Sequence, residues 1–140
     1  MSNYQWFEYP VKAQPHHTDY AGLVWHGTYL RWMEEARVEY LSSQGLEYAD
    51  LITLGCDLPV IEMSLRYHKS IQLGTSAIVK SRISNYRGVR IEWEQNIGVP
   101  QETNLYVTAK ITLVAVDRQK GKILRQPPSI LHKTLLKLTS

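Results

Sequence analysis

Most of the side chains that could do chemistry fall in one stretch: His16-His17-Thr18-Asp19-Tyr20-Ala21-Gly22-Leu23-Val24-Trp25-His26-Gly27-Thr28-Tyr29. Asp19 stands in a glycine-containing loop, and a helical pattern starts just downstream. That arrangement suits acyl transfer. Thioester hydrolysis needs a nucleophile or a base that activates water, and donors for the oxyanion that develops on the carbonyl. A carboxylate can supply the first. A helix start can supply the second, because its leading N–H groups lack intrahelical acceptors and lie at the positive end of the helix dipole. The backbone N–H of His26 or Gly27 could serve. Asp19 has a second reading, since a loop aspartate commonly hydrogen-bonds its own turn. His26 likewise reads as a structural histidine or a partial cap. The residues alone leave both pairs of readings open.

Other chemistries find less support. His16, His17, Asp19 and His26 suggest a metal site only weakly, because adjacent residues in an extended chain point opposite ways and no second ligand pair stands at helical spacing. There is no G-x-S-x-G elbow, no P-loop and no G-x-G-x-x-G. The single cysteine, Cys56, has no evident activating partner and reads as a small hydrophobe. The chemistry expected here uses protein groups alone, with no metal and no cofactor.

These residues need a scaffold. Residues 4–12 read as an extended segment and 13–27, with Pro15, Gly22 and Gly27, as a loop. Tyr29, Trp32, Met33, Ala36, Tyr40 and Leu41 form one apolar stripe at helical period, with Arg31, Glu34, Glu35 and Glu39 off it. Thr28 is a plausible N-cap and Gly45 a plausible stop. Residues 46–56 suggest a shorter helix or turn. After Pro59 the period changes to two: Ile61, Met63, Leu65 and Tyr67; Ala77, Val79 and Ile83; Val89, Ile91 and Trp93; Leu105, Val107, Ala109, Ile111 and Leu113. Turn signals at Gly74, Arg87-Gly88, Val99-Pro100 and Lys120-Gly121 separate these runs. Pro127-Pro128 marks a break before a C-terminal tail. The pattern predicts an α+β domain with one long helix across the apolar face of an antiparallel sheet. Such a sheet exposes an edge, and edges invite pairing between chains, so a dimer is expected.

Bulk properties agree. The 140 residues make one domain, 1–140, and 44% hydrophobic residues suffice for a core. The longest apolar runs, such as Leu113 to Val116, fall far short of the roughly 20 residues of a membrane span. The start, Met1 to Tyr9, lacks a basic stretch followed by an apolar one, and one cysteine permits no intrachain disulfide, so a cytoplasmic location without membrane insertion is expected. A net charge of +3 is too mild for a dedicated nucleic-acid binder, and Glu92 and Glu94 interrupt the basic residues around them.

The loop and helix together resemble the 4-hydroxybenzoyl-CoA thioesterase family, especially its short-chain and Tol-Pal-associated acyl-CoA branch. The family pattern is roughly T-D-x-x-G-x-V-x-H-x-x-Y-L, followed by E-x-A-R. This sequence has Thr18-Asp19, Gly22, Val24, His26 and Tyr29-Leu30, then Glu34 and Ala36-Arg37. His16-His17 depart from it, since many members carry an acidic or aromatic residue before the threonine.

The resemblance implies a hotdog fold, a curled antiparallel sheet wrapped around one long helix, assembled as a dimer or dimer of dimers with active sites at the dimer interface. It implies hydrolysis of an acyl-CoA or aryl-CoA ester, with Asp19 and His26 as catalytic residues and the backbone N–H near the helix start as oxyanion donor. Tyr20, Trp25 and Met63 then either line an aromatic-tolerant pocket or are ordinary core residues. Arg82, Arg87 and Arg90, with Lys80 nearby, either hold the phosphates of CoA or form a solvated hairpin. An acyl carrier protein as donor and a non-hydrolytic acyl-CoA binder are the competing functions. The intact carboxylate argues against the binder.

Overall fold

The helical stripe is the buried face of α1 (His26–Ser43) in the computed structural model, which describes residues 6–140. Tyr29, Trp32, Met33, Ala36, Tyr40 and Leu41 are all buried, while Arg31, Glu34, Glu35 and Glu39 are exposed. The helix starts three residues earlier than Thr28 as N-cap suggests. Trp25 is the N-cap and offers no side-chain acceptor. Thr28 instead sits in the first turn, where its hydroxyl donates to the His17 carbonyl at 3.0 Å. The other end stops as expected. Gly45 takes φ +83, its N–H reaches the Ser42 carbonyl, and the N–H of buried Leu46 reaches that of Leu41. These two bonds satisfy carbonyls that the end of a helix leaves open.

Of the extended segment at 4–12, residues 4 and 5 lie outside the described residues, and Phe7–Lys12 form β1. A short helix α2 (Tyr48–Thr53) follows α1, then the two-residue β2 (Cys56–Asp57). The main strands are β3 (Val60–Tyr67), β4 (Ser76–Arg87), β5 (Arg90–Gly98) and β6 (Val107–Val114). They make one five-stranded antiparallel sheet in the order β1-β4-β5-β6-β3. It curls around α1, and the inward residues Val79, Ile83, Ile91, Trp93, Ile97, Val107 and Ile111 join the helix stripe in one core. Burying each such large apolar side chain contributes about 1.5–3 kcal/mol. Val89 and Leu105, read as strand residues, fall just outside β5 and β6.

Two parts of the reading need correction. The tail after Pro127-Pro128 is a helix, α3 (Ser129–Thr139), anchored on the core by Leu131 and Leu135. The preceding β7 (Val116–Asp117) pairs with β2. The second correction concerns β3. Its apolar residues alternate as expected, yet Ile61, Met63 and Tyr67 stay 37–50% exposed. β3 is the last strand of the sheet, beyond the cover of this chain's own helix.

A polar network inside the core fixes the helix on the sheet. Arg37 is only 5% exposed, and its Nη1 donates to Gln95 Oε1 at 2.9 Å. Gln95 Nε2 donates to the Met33 carbonyl and to Ser81 Oγ. One amide on β5 therefore ties together two turns of α1 and one residue of β4. Burial pushes the Arg37 guanidinium below its ordinary pKa, yet arginine stays charged inside proteins.

Candidate active site

Asp19 closes its own turn. Its Oδ1 accepts the N–H of Ala21 at 2.9 Å and of Leu23 at 3.1 Å, while its own N–H donates to the Leu23 carbonyl. Gly22, at φ +79, supplies the left-handed residue this tight loop requires. The loop is strapped to the body of the protein: Val24 N–H reaches the Ile71 carbonyl, and Leu73 N–H reaches that of Gly22. Trp25 N–H and the Thr28 hydroxyl both donate to the His17 carbonyl, which fixes the start of α1 against the short 3-10 turn Pro15–His17. The turn-closing reading of Asp19 is thus correct, and it leaves the other reading intact. Among the described residues only Oδ1 is engaged, so Oδ2 of this exposed carboxylate has no protein partner.

Asp19, Trp25, His26, Tyr29, Tyr67 and Lys69 surround one depression of about 200 Å³. Two kinds of group meet there: an open carboxylate oxygen and the first turn of α1. The N–H groups of His26 and Gly27 have no acceptor among the described residues, as the first two positions of a helix dictate. Tyr29 forms the back wall, with its hydroxyl accepting the Ile71 N–H at 3.0 Å and its ring 5.6 Å from that of Tyr67. Burial pushes the Tyr29 hydroxyl above its ordinary pKa, so it remains a neutral phenol. Tyr67, Lys69 and Ser70 are additions that the sequence motif did not single out. Tyr67 ends β3 and the other two follow it, far beyond the motif in the sequence, and no local spacing marks them. Lys69 lies 5.0 Å from the Tyr106 ring centroid and 3.8 Å from Glu102.

The other expected site residues divide. Trp25 is at the depression and 51% exposed. Met63 is on β3 facing the same side of the sheet, 37% exposed, and Tyr20 is fully exposed. None of the three is a core residue of this chain, and Tyr20 and Met63 do not reach the depression. The arginines are not free as a group. Arg82 lies on the outer face of the sheet, with two hydrogen bonds to Glu94 and its guanidinium over Trp6. Arg90 pairs with Glu62 at 2.7 Å. Arg87 is exposed at the β4–β5 turn. A larger groove, about 580 Å³, runs beside them on that outer face, lined by charges of both signs. It holds none of the loop residues Asp19 to His26.

Position separates the arginines from Asp19 within one chain. Tyr67 pairs with Val107, Val107 with Ile97, and Ile97 with Val79. From Val79 to Arg87 is roughly 25 Å of strand. The Arg87–Arg90 turn is therefore at the Val60 end of β3, and Asp19 is at the Tyr67 end.

One long helix wrapped by a curled antiparallel sheet, with a carboxylate loop at the helix start, defines a hotdog-fold thioesterase. The Thioesterase-like superfamily matches residues 13–134, and the chain belongs to it. A relative from Synechocystis sp., "Putative esterase sll0410", is 53% identical over 134 residues, covering 96% of this chain and 81% of its own. The acyl-CoA thioester hydrolase YbgC of Escherichia coli is 29% identical, over 89% of this chain and 92% of its own. Among solved structures, a DHNA-CoA thioesterase from Staphylococcus aureus superposes with a TM-score of 0.87 at 27% identity, covering 94% of this chain and 89% of that one. These likenesses place the chain among thioester hydrolases. No helix among the described residues is long and apolar enough to cross a membrane.

Proposed function

We propose that this chain hydrolyses acyl-CoA or aryl-CoA thioesters to the free acid and CoA, with Asp19 as general base or nucleophile. The observation that carries the proposal is the meeting, in one depression, of an unengaged carboxylate oxygen with a helix start whose N–H groups are unpaired. As a base, Asp19 takes a proton from water as the water oxygen attacks the thioester carbonyl. The carbonyl oxygen becomes an oxyanion and is met by the N–H of His26 or Gly27. Collapse breaks the C–S bond, and the proton passes to the departing CoA sulfur. As a nucleophile, the same carboxylate attacks the carbonyl and expels the CoA thiolate, forming an anhydride; water then opens the anhydride, returning the Asp19 carboxylate and releasing the acid, and the proton that water loses ends on the CoA thiolate. The His26 imidazole acts in positioning, since its backbone does the oxyanion work. The test is thiol release over a panel of acyl-CoAs and aryl-CoAs. Turnover of at least one class supports the proposal, and none across the panel contradicts it.

The site is completed by a second copy. The unpaired edge of β3, with Val60, Ile61, Met63 and Tyr67 exposed, is a surface made for strand pairing. Antiparallel pairing of β3 with its counterpart sets the partner's Val60 end beside this chain's Tyr67 end. That arrangement carries the partner's basic turn toward Asp19, across the separation seen within one chain. Light scattering at micromolar concentration is expected to give at least a dimer. A particle of 16.2 kDa would contradict this.

Arg87 and Arg90 then bear on affinity for the anionic CoA. Neutralising both is expected to raise KM severalfold with kcat little changed, because phosphate contacts far from the carbonyl are equal in ground and transition states. An unchanged KM would return the turn to plain solvated surface.

A further inference from the structure

The charge of this chain is unevenly spread. After Asp117 the sequence has no aspartate or glutamate, yet residues 118–140 hold Arg118, Lys120, Lys122, Arg125, Lys133 and Lys137. The +3 of the whole chain is thus +6 in this segment and −3 in the rest. All six cations are exposed, and none has a carboxylate within 4 Å among the described residues, whereas Lys69, Lys80, Arg82 and Arg90 each have one. Asp117, the last acidic residue, has Lys120 within electrostatic reach, but its Oδ1 accepts the backbone N–H groups of Gln119 and Lys120.

The fold brings both parts of the segment to one end of the sheet. Val114, the last residue of β6, pairs with Arg90, so the chain leaves the sheet where β4 turns into β5. The Gly121 N–H closes the next turn on the Asp117 carbonyl at 2.7 Å, and Ile123 bridges back to Val116. α3 then returns to β4, where its His132 Nδ1 lies 2.8 Å from the hydroxyl of Tyr86, next to Arg87. Leu131 and Leu135 are its buried side. On its other side Lys133 and Lys137 are exposed together with Ile130 (43%) and Leu136 (49%). Ile123, also half exposed, adds a third aliphatic side chain beside Lys122. β5 and β6 separate β4 from β3, so strand pairing at the β3 edge does not involve α3.

We infer that this end of the molecule docks on an anionic lipid surface, lying on it without inserting a span. Such binding combines two attractions, charge for the headgroups and apolar surface for the layer just beneath them, and both are present here. Lysine serves each of them, because its stem can lie with Ile130 and Leu136 while its ammonium stays at the headgroups. The composition disfavours other anionic partners. Protein interfaces are poor in lysine and rich in aromatic residues, yet four of these six cations are lysines and residues 118–140 hold no Trp, Tyr or Phe. Single-stranded nucleic acid needs such rings for stacking. The inference goes beyond the thioesterase reading, and its test needs no turnover.

The test is sedimentation of the full chain with vesicles of phosphatidylcholine alone or of phosphatidylcholine mixed with anionic phosphatidylglycerol. Binding is expected to the mixed vesicles only, and is expected to weaken as salt screens the charges. Each cation near an anionic surface is worth about fivefold in partition. The double variant Lys133→Glu/Lys137→Glu is therefore expected to bind the mixed vesicles about twentyfold less, or weaker still. Ile130→Ser/Leu136→Ser, which keeps every charge, is expected to bind them severalfold less. These side chains are exposed, so circular dichroism should show the wild-type fold. If a variant fails to fold, Lys120→Glu/Lys122→Glu in the preceding turn makes the same test of charge. The inference is overturned if the wild type ignores the mixed vesicles, sediments equally with both kinds, or is matched by either folded double variant. Retention of an acidic protein or an oligonucleotide by a chain that leaves the mixed vesicles unbound overturns it too, and assigns the surface to a partner of that class.

Discussion

Gln95→Leu is expected to destabilise the protein by about 3 kcal/mol, read as a fall in Tm of about 10 °C. Leucine nearly matches the volume of glutamine, so packing changes little. Every polar group that Gln95 serves, however, loses its partner in a place water does not reach. Arg37 Nη1 loses its acceptor while its Nε already has none among the described residues, and Ser81 and the Met33 carbonyl lose a donor. A buried charge stripped of its partner costs more than the intact pair ever contributed. Adding Arg37→Met should therefore restore much of the loss, making the double variant more stable than Gln95→Leu alone. A Gln95→Leu protein that melts with the wild type would mean that the network does not hold α1 on the sheet.

That network was invisible in the sequence, where Arg37 counted only as part of the E-x-A-R pattern. Its burial depends on Gln95, 58 residues away, and no local period encodes such a pair. The long helix, by contrast, was legible because six apolar residues repeat at 3.6, and β4, β5 and β6 because one face of each is buried. The same period drew β3 correctly but concealed its exposure, since alternation reports which face is apolar and not whether anything covers it. α3 was missed because Pro127-Pro128 reads as an ending, although proline is equally at home just before a helix.

The candidate site was legible to the extent that it is local. Asp19, Gly22 and His26 lie in one loop, and their spacing reports the turn that Asp19 closes. Tyr67 at the end of β3, with Lys69 and Ser70 just after it, is brought to the depression only by the folded sheet. The arginines illustrate the converse. Their closeness in sequence suggested one cluster, but alternate residues of a strand and its hairpin partner have different neighbours, and Glu94 and Glu62 engage Arg82 and Arg90.

Asp19→Asn isolates the chemistry from the scaffold. Asparagine keeps an Oδ1 that can accept the Ala21 and Leu23 N–H groups, so the turn should close as before. What changes is the other oxygen, which becomes an amide nitrogen with no basic lone pair. Loss of a general base lowers kcat by about a hundredfold or more, and loss of a covalent nucleophile by more still. Affinity should persist or tighten slightly, because one negative charge near an anionic ligand is gone. The decisive measurement is therefore kcat for Asp19→Asn and wild type on a CoA ester that the wild type turns over, with thioether-analogue affinity determined on the same preparations. The account requires a fall in kcat of about a hundredfold or more with affinity retained. A folded Asp19→Asn protein that hydrolyses the ester at a near-normal rate would contradict it and leave the Asp19 loop a structural turn.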